Sequence, residues 1–236
     1  MLKLFLISGY NKYIIQQNIR TFYKYADVLL NEVRYLQPVH ARLYEIFEQV
    51  NGIAHTKTLK QAGISQYYIK RFEESGLIER VKRGVYRYLG EEMPIVDELV
   101  EVTSIVPKGV ICLLSAASFH ELSTINPYTY HVAIERNQMK PVLPDYPPIT
   151  LYYFKASFYE EGVDEGIINN SKVKVYNMEK TICDLVRYRR KIGNDSMLEC
   201  IKNYMARSDR NINKLMQCAE KLKVQKLVKQ YIEVLV

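Results

Sequence analysis

From residue 41, hydrophobic residues recur at helical spacing. From there to residue 89, the pattern predicts a series of short helices and strands. The first apolar stripe predicts an amphipathic helix and consists of Leu43, Ile46, Phe47 and Val50. The segments that follow predict a short connection, a second helix, a tight turn, a third helix and a β-hairpin. In chain order the stretches are ARLYEIFEQVNG, IAH, TKTLKQ, AGIS, QYYIKRFEES and GLIERVKRGVYRYL.

The predicted third helix has two different faces. Its inward stripe consists of Tyr68, Ile69 and Phe72. Ser65 is a good N-cap for this helix, and Gly76 follows its end. A helix held on a tight turn in this way places side chains in a DNA major groove, so the segment predicts a winged helix-turn-helix that binds DNA. The outward positions are the candidate DNA contacts, and they are Gln66, Tyr67, Lys70 and Arg71.

The predicted hairpin has a cationic tip. Lys82, Arg83 and Gly84 lie between its two strands, and Arg87 follows on the second strand. Cations at a tight tip suit a wing that lies against a phosphate backbone, so Lys82, Arg83 and Arg87 are further candidate DNA contacts. Two other interpretations stay open, because exposed hairpin tips are commonly charged and winged helices also serve as protein–protein modules.

The excess positive charge lies in the same part of the chain. Residues 1–90 contain 14 Lys and Arg against 7 Asp and Glu, whereas residues 91–236 contain 19 of each kind. The net charge of +7 therefore belongs to the first 90 residues. A basic module beside a neutral body is typical of nucleic-acid binding, which should weaken steeply with salt because neutralised phosphates release counterions.

The pattern divides the chain into three parts. Residues 1–38 predict a helical extension that Pro38 would end, and residues 39–90 predict the DNA-binding domain. Residues 91–236 predict a second domain. The fold class is therefore α+β, with an N-terminal winged helix-turn-helix followed by a mixed α+β domain and a helical C-terminal tail.

Several elements are predicted within the second domain. A helix starts at Pro94, a buried strand spans GVICLLS, and a short helix spans AASFHEL. YTYHVAIE and ITLYYFK predict two further strands. A hairpin turns at Asn169-Asn170, and the chain is helical from Asn177 onward.

The sequence contains no complete motif of a catalytic, metal or cofactor site. It has no glycine-rich phosphate loop, nucleophile elbow or zinc-binding helix, so we expect neither enzymatic activity nor a cofactor. No apolar run approaches the ~18 residues that a membrane span requires. The cysteines lack metal-ligand spacing and predict reduced, buried thiols of a cytoplasmic protein, and they are Cys112, Cys183, Cys200 and Cys218.

Two charged groups in the second half have more than one interpretation. Asp164 and Glu165 with Lys172 or Lys174 suggest a metal nuclease, but the acid-x-lysine spacing on one strand is missing, which favours exposed hairpin charges. A basic group near a helix end either offsets the helix dipole or forms a second phosphate-contacting surface. Its members are Arg187, Arg189, Arg190 and Lys191.

Three longer segments resemble the AbiE-type antitoxins, the transcriptional-regulator halves of type IV toxin–antitoxin systems that abort phage infection. The segments are IKRFEESGLIERVKRGVYRYLG, VPKGVICLLSAASFHEL and VKVYNMEKTICDLVRYRRKIG, in this order and spacing. The similarity covers about residues 40–220, and EKTICDLVRYRRK is its most specific part. The chain departs from the family in its N-terminal 38 residues, a stretch longer than expected.

The resemblance implies a bacterial protein that represses its own operon at repeats in the promoter. It also implies an antitoxin that counters a nucleotidyltransferase-like toxin encoded alongside, without a stable complex between the two. It places antitoxic action within residues 91–236 and leaves open whether the protein is a monomer or a dimer on DNA. It places operator reading at Gln66, Tyr67, Lys70, Arg71, Lys82 and Arg83.

Two other functions are consistent with the sequence. One is a stand-alone winged-helix regulator whose C-terminal domain binds a small ligand or a protein. The other is a nuclease-type defence enzyme with a winged-helix targeting domain. Rescue of growth from the neighbouring toxin separates an antitoxin from the first alternative, and metal-dependent cleavage of nucleic acid would support the second.

Overall fold

The computed structural model describes residues 38–91, 93 and 96–235, so the helix predicted over 1–38 lies outside the described residues except for Pro38. The first described part combines helices with an antiparallel three-stranded sheet of order β1-β3-β2. The second strand of the hairpin is therefore the central strand of this sheet. In chain order the elements are α1 (38–49), β1 (Ile53–His55), α2 (Thr56–Gln61), α3 (Gln66–Glu74), β2 (Ile78–Lys82) and β3 (Val85–Tyr88).

One hydrophobic core holds this first unit together. The predicted stripe of α1 is confirmed, because Leu43, Ile46 and Phe47 are buried and Val50 packs half-buried against them. Burying a large apolar side chain stabilises a fold by about 1.5–3 kcal/mol, so this core fixes the direction in which α3 points. The buried side chains that meet the α1 stripe are Ala54, Leu59, Ile64, Ile69, Phe72, Ile78, Tyr86 and Tyr88.

Two glycines make the sharp turns on either side of α3. Gly63 has a φ angle of +86° and Gly76 has one of +74°, a left-handed conformation that glycine adopts without strain. Ser65 occupies the predicted N-cap position of α3, but its side chain makes no capping hydrogen bond. The first backbone N–H groups of α3 therefore make no hydrogen bond to the Ser65 side chain and can donate to another acceptor.

The second unit is built on a mixed five-stranded sheet of order β6-β5-β4-β8-β7. The pairs β5–β6 and β4–β8 are parallel, and the pairs β4–β5 and β7–β8 are antiparallel. Its first elements are α4 (Glu98–Ile105), β4 (Val110–Ile111), α5 (Leu113–Phe119), β5 (Tyr130–Glu135), β6 (Ile149–Phe154), α6 (Ala156–Tyr159), β7 (Val163–Ile168) and β8 (Ser171–Tyr176). The helices that follow are α7 (Met178–Ile192), α8 (Asn194–Ala206), α9 (Ile212–Lys221) and α10 (Gln225–Leu235).

Strand β4 is shorter than the sequence predicted. Only two residues are strand, and α5 begins at Leu113 instead of Ala116. A short apolar run suits a buried strand or a buried helix equally well, so periodicity could not separate the two. The small side chains of Ser115, Ala116 and Ala117 are all buried, and α5 packs against α7. Close packing between two helices therefore decides the conformation of this segment.

Helix α4 also begins later than predicted. Residues 96 and 97 are not helical, and Pro94 lies outside the described residues. The Asp97 carboxylate accepts the Leu99 N–H at 2.8 Å, which caps the helix at its observed start. Such a cap stabilises a helix by about 1 kcal/mol, so Asp97 sets the boundary.

The predicted hairpin turn and helical tail are confirmed. Asn169 and Asn170 join β7 to β8 with φ angles of +45° and +63°, as a two-residue type I′ turn requires. Asn177 is the N-cap of α7, and its side chain accepts the Lys180 N–H at 3.0 Å. The residues from Asn177 to the end of α10 then form the helical tail.

Helix α7 is the centre of the second unit. Its residues from Glu179 to Val186 are buried, and α5, α8 and α9 pack against it. The fold is therefore mixed α+β, in agreement with the predicted class. Across the described residues, no helix combines the length and the apolar character needed to cross a membrane.

Candidate nucleic-acid interface

Helix α3 presents a polar face to solvent on the side opposite its buried face. Ile69 and Phe72 are buried in the core of the first unit, and the predicted inward residue Tyr68 is half-buried against it. The helix has no acidic residue in its first turn, which keeps negative charge away from its amino-terminal end. Of the predicted contacts on this helix, Arg71 is half-buried, and the exposed ones are Gln66, Tyr67 and Lys70.

The exposed side chains of α3 are only weakly held. The Tyr67 ring is 63% exposed and meets Tyr68 edge-on, with 5.4 Å between ring centroids. The Lys70 ammonium lies 3.6 Å from the Glu74 carboxylate, and both side chains are mostly in solvent. An exposed pair of this kind contributes at most about 1 kcal/mol, so Lys70 can exchange it for a phosphate at little cost.

Helix α2 adds two cations that the sequence analysis did not select. Lys57 and Lys60 are exposed and lie three positions apart, so they share one face of the helix. The helix before a recognition helix commonly crosses the DNA backbone. That rule, applied to the basic residues of TKTLKQ, is the signal that would have identified them.

The hairpin tip is held by the rest of the first unit. The Gly84 carbonyl accepts the Thr56 N–H at 2.9 Å, which ties the turn to the start of α2. Arg83 is exposed at this tip. The structure therefore leaves the predicted Arg83 contact on the outside of the hairpin.

Lys82 makes a different contact from its neighbour. Its ammonium donates a hydrogen bond of 2.5 Å to the Ile105 carbonyl at the end of α4, and its side chain is half-buried. Burial lowers the pKa of Lys82 below its usual value. The Lys82 ammonium is thus held on the second unit.

Arg87 also faces the second unit. Its guanidinium lies 2.8 Å from the Glu101 carboxylate on α4 and 2.5 Å from the Glu79 carboxylate on β2. Glu101 is fully buried, and burial raises its pKa although Arg87 opposes the rise. Since Arg87 pairs with a buried carboxylate, we expect it to have a structural role.

Two further contacts join the first unit to the second. Val81 packs against an apolar cluster that contains Val102 and Ile105 of α4. The Asn51 side chain donates a hydrogen bond of 2.6 Å to the Ser171 hydroxyl in β8. The β2–β3 hairpin is therefore held against α4 by Val81, Lys82 and Arg87.

The Arg87→Met variant tests whether Arg87 is structural. We expect its free energy of unfolding to fall by about 2–3 kcal/mol, because Glu101 stays buried without its cation. Its affinity for DNA should stay within about twofold of wild type under conditions where both proteins are folded. Urea unfolding and a DNA titration measure the two quantities. Unchanged stability together with about tenfold weaker binding would make Arg87 a DNA contact instead.

The basic residues near the end of α7 do not share one outward face. The Arg187 guanidinium lies 4.6 Å from the Phe158 ring centroid and donates to the Leu222 carbonyl. Arg189 donates to the Val186 carbonyl at 3.0 Å within its own helix. Arg190 is exposed, and the Lys191 ammonium lies 5.8 Å from the Tyr188 ring centroid. The second phosphate-contacting surface stays a prediction. Arg187 differs from the other three residues because its guanidinium packs against Phe158 and bonds to the Leu222 carbonyl.

The charged residues of the β7–β8 hairpin and the cysteines form no metal site among the described residues. Glu165 and Lys172 form an exposed ion pair of 3.0 Å across the β7–β8 hairpin. Among the described residues, no group of three or more metal-ligating side chains is assembled. The cysteines are buried free thiols, as predicted for Cys112, Cys183, Cys200 and Cys218.

A comparison of the sequence with family models agrees with the family predicted for the first unit. The family model described as "Transcriptional regulator, AbiEi antitoxin" matches residues 41–89, which confirms the resemblance over α1 to β3. The crystal structure of the RV2827C protein from Mycobacterium tuberculosis is similar at 10% sequence identity, covering 82% of this chain and 80% of that chain with a TM-score of 0.43. No curated protein matches the chain.

Proposed function

We propose that the chain is a DNA-binding repressor of its own operon and the antitoxin of a type IV toxin–antitoxin system that aborts phage infection. The observation that carries this proposal is the exposed polar face of α3, held over buried Ile69 and Phe72. It lies within the residues that match the AbiEi antitoxin regulators. In this interpretation the winged helix-turn-helix consists of α2, the turn at Gly63, α3 and the β2–β3 hairpin.

The side chains of this surface divide into two roles. Gln66 and Tyr67 lie in the first turn of α3, and residues at that end of a recognition helix reach the base edges in the major groove. Cations around them fix the register of the protein on the DNA backbone. The uncapped N–H groups at the start of α3 add a further site for a phosphate. The proposed phosphate contacts are Lys57, Lys60, Lys70, Arg71 and Arg83.

The Lys70→Ala/Arg83→Ala variant tests the phosphate contacts. We expect its affinity for the DNA upstream of its own coding sequence to fall by about tenfold to a hundredfold. The slope of log affinity against log salt concentration should become shallower by about 2, since each phosphate contact contributes about 0.9. Fluorescence anisotropy at several KCl concentrations measures both. Arg71 is left intact because it is half-buried.

A matched control removes two cations elsewhere. Lys202 and Lys226 are exposed on α8 and α10, so Lys202→Ala/Lys226→Ala loses the same net charge. This control should keep the wild-type affinity and salt slope. Equal losses in both double variants would show that net charge alone, and not this surface, drives binding.

Base reading and phosphate binding give different signatures. Gln66→Ala should reduce the preference for the upstream DNA over unrelated duplex DNA by about tenfold, with the salt slope unchanged. If Gln66→Ala lowers the affinity for both DNAs equally, Gln66 contacts the DNA backbone and does not read bases.

The antitoxic function is proposed to lie in residues 91–236. Co-expression with the nucleotidyltransferase-like toxin encoded alongside should restore growth, both for the wild type and for Lys70→Ala/Arg83→Ala. The toxin should not co-purify, because a type IV antitoxin opposes its toxin without a stable complex. Failure of the wild-type protein to restore growth would contradict the antitoxin function and favour a stand-alone regulator.

A further inference from the structure

A groove of about 610 Å³ lies on the first unit at the carboxyl end of α3. Three parts of the chain line it, namely the start of α1, the end of α3 with the turn after it, and the residues that follow β3. Gln66 and Tyr67 lie at the other end of α3, about 12 Å away along the helix axis. A segment bound in this groove therefore leaves the proposed base contacts open.

The groove has an apolar wall that includes an exposed leucine. Phe72 and Leu77 line it from the core of the first unit, and Leu89 is 49% exposed beside them. In the described part of the first unit, the only other exposed large hydrophobic side chain is Tyr67, which belongs to the proposed DNA surface. The Leu89 N–H donates to the Leu77 carbonyl at 2.9 Å, which fixes the backbone there. Covering Leu89 would remove apolar surface from water and so stabilise a docked segment.

The N-terminal segment, residues 1–37, joins the first unit at the edge of this groove. Helix α1 begins at Pro38, and His40 lines the groove with its ring centroid 6.1 Å from that of Phe72. The residue before a proline disfavours the helical conformation, so a helix predicted in the segment would end there and the chain can change direction. The last residues of the segment are therefore within reach of the groove, whereas a second copy of the protein has no such link to it.

The sequence of the N-terminal segment contains an apolar stripe that ends close to Pro38. Its members recur at alternating intervals of four and three residues, the spacing of one face of a helix. A helix with such a stripe is stable only when the stripe is buried against another surface. The members are Phe22, Ala26, Leu29, Val33 and Leu36.

We propose that the groove is the docking site of the N-terminal segment of the same chain. The part of the stripe from Leu29 to Leu36 packs on the apolar wall and covers Leu89. The volume of the groove leaves room for several apolar side chains. The docked segment extends the core of the first unit and supports the carboxyl end of α3. This docking does not depend on DNA binding by α3.

Thiol labelling of the full chain tests the docking. The native cysteines are buried free thiols, so they give little background. We expect the thiol of Leu89→Cys to react with a maleimide about tenfold more slowly than that of Tyr128→Cys, because the segment covers it. Tyr128 is 94% exposed and Leu89 is 49% exposed. Without a cover, this difference in exposure would change the rate only about twofold.

Charges on the apolar stripe should release the segment. In the Leu89→Cys background, Leu29→Asp/Val33→Asp should raise the labelling rate about tenfold, since a carboxylate is costly to bury. The matched control Asn31→Asp/Tyr35→Asp adds two carboxylates with the same four-residue spacing on the opposite side of the predicted helix. This control should leave the labelling rate unchanged. The native cysteines should stay unreactive in both variants, which shows that the fold is intact.

Three outcomes contradict docking by the same chain. The first is labelling of Leu89→Cys within about threefold of the rate for Tyr128→Cys, which would leave the groove open. This comparison changes nothing in the segment, so it decides the question even if Leu29→Asp/Val33→Asp unfolds. The second is slow labelling that Leu29→Asp/Val33→Asp leaves unchanged in a folded protein. The third is a labelling rate that rises when the protein is diluted, which would assign the cover to a second copy.

Discussion

Replacing Asp184 with alanine is expected to lower the free energy of unfolding by about 3–5 kcal/mol, because the Lys180 ammonium then stays buried without a counter-ion. Both side chains are buried on α7, and the ammonium lies 2.6 Å from the Asp184 carboxylate. The ammonium also lies 4.5 Å from the Tyr176 ring centroid and 4.7 Å from that of Phe154. These rings stabilise a cation only in part and do not replace the carboxylate.

Urea unfolding followed by circular dichroism measures this loss. The double variant Lys180→Met/Asp184→Leu removes both charges and should be about as stable as the wild type. A matched control is Glu233→Ala, since Glu233 and Lys229 form an ion pair with the same four-residue spacing in solvent. That control should cost less than about 0.5 kcal/mol. A loss below about 1 kcal/mol for Asp184→Ala would contradict a strong role for the pair.

Acidification from pH 7 to pH 4 is expected to remove about 3 kcal/mol of stability through His131. Burial lowers the pKa of His131 from 6.5 to about 4. Its Nδ1 is buried without a hydrogen-bond partner among the described residues, and its ring meets Tyr152 edge-on. The unfolded chain therefore takes up a proton at a higher pH than the folded chain. The stability is fully present above about pH 6.5 and is lost as the pH falls toward 4.

The His131→Leu variant isolates this contribution. Urea midpoints between pH 4 and pH 7 should change less with pH in the variant than in the wild type. Some dependence should remain, because burial also lowers the pKa of His120 and of His55, the latter with help from Lys82. Identical pH profiles for the two proteins would show that His131 is not the source.

The elements of the first unit could be predicted because their signals are local. The apolar stripe of α1, the glycine turn at Gly63 and the alternation in the hairpin each lie within a few residues of the structure they specify. The exposed face of α3 followed directly from the buried positions of Ile69 and Phe72. Local periodicity therefore gives both the helix and the side on which Lys70 lies.

The sheet of the second unit could be predicted only as separate strands. Strand β4 pairs with β8, in which Ile111 is matched to Val175, and nothing in either short segment identifies its partner. Long-range pairing depends on how the buried faces fit together after the chain collapses. For the same reason, the sequence predicts one strand for the apolar run after Gly109, whereas only Val110 and Ile111 are strand and a helix follows from Leu113.

The roles of Lys82 and Arg87 depend on partners far along the chain. In sequence they are hairpin cations like Arg83. The Ile105 carbonyl and the Glu101 carboxylate, which hold them, belong to a helix beyond the hairpin. Glu101 itself follows the polar spacing of an ordinary amphipathic helix, so its complete burial had no sequence signal.

Under the proposed repressor function, the contact between the β2–β3 hairpin and α4 has a consequence for the arrangement of DNA repeats that the protein would bind. Because the first unit is held against the second unit, a first unit bound to DNA would place the second unit at a fixed angle around the double helix. Two copies on tandem repeats then occupy the same side of the DNA only if the repeats are separated by whole turns of about 10.5 base pairs. Inserting about five base pairs between the repeats would turn the two second units to opposite sides of the DNA. The spacing of the repeats would therefore decide whether two neighbouring copies of the protein can contact each other.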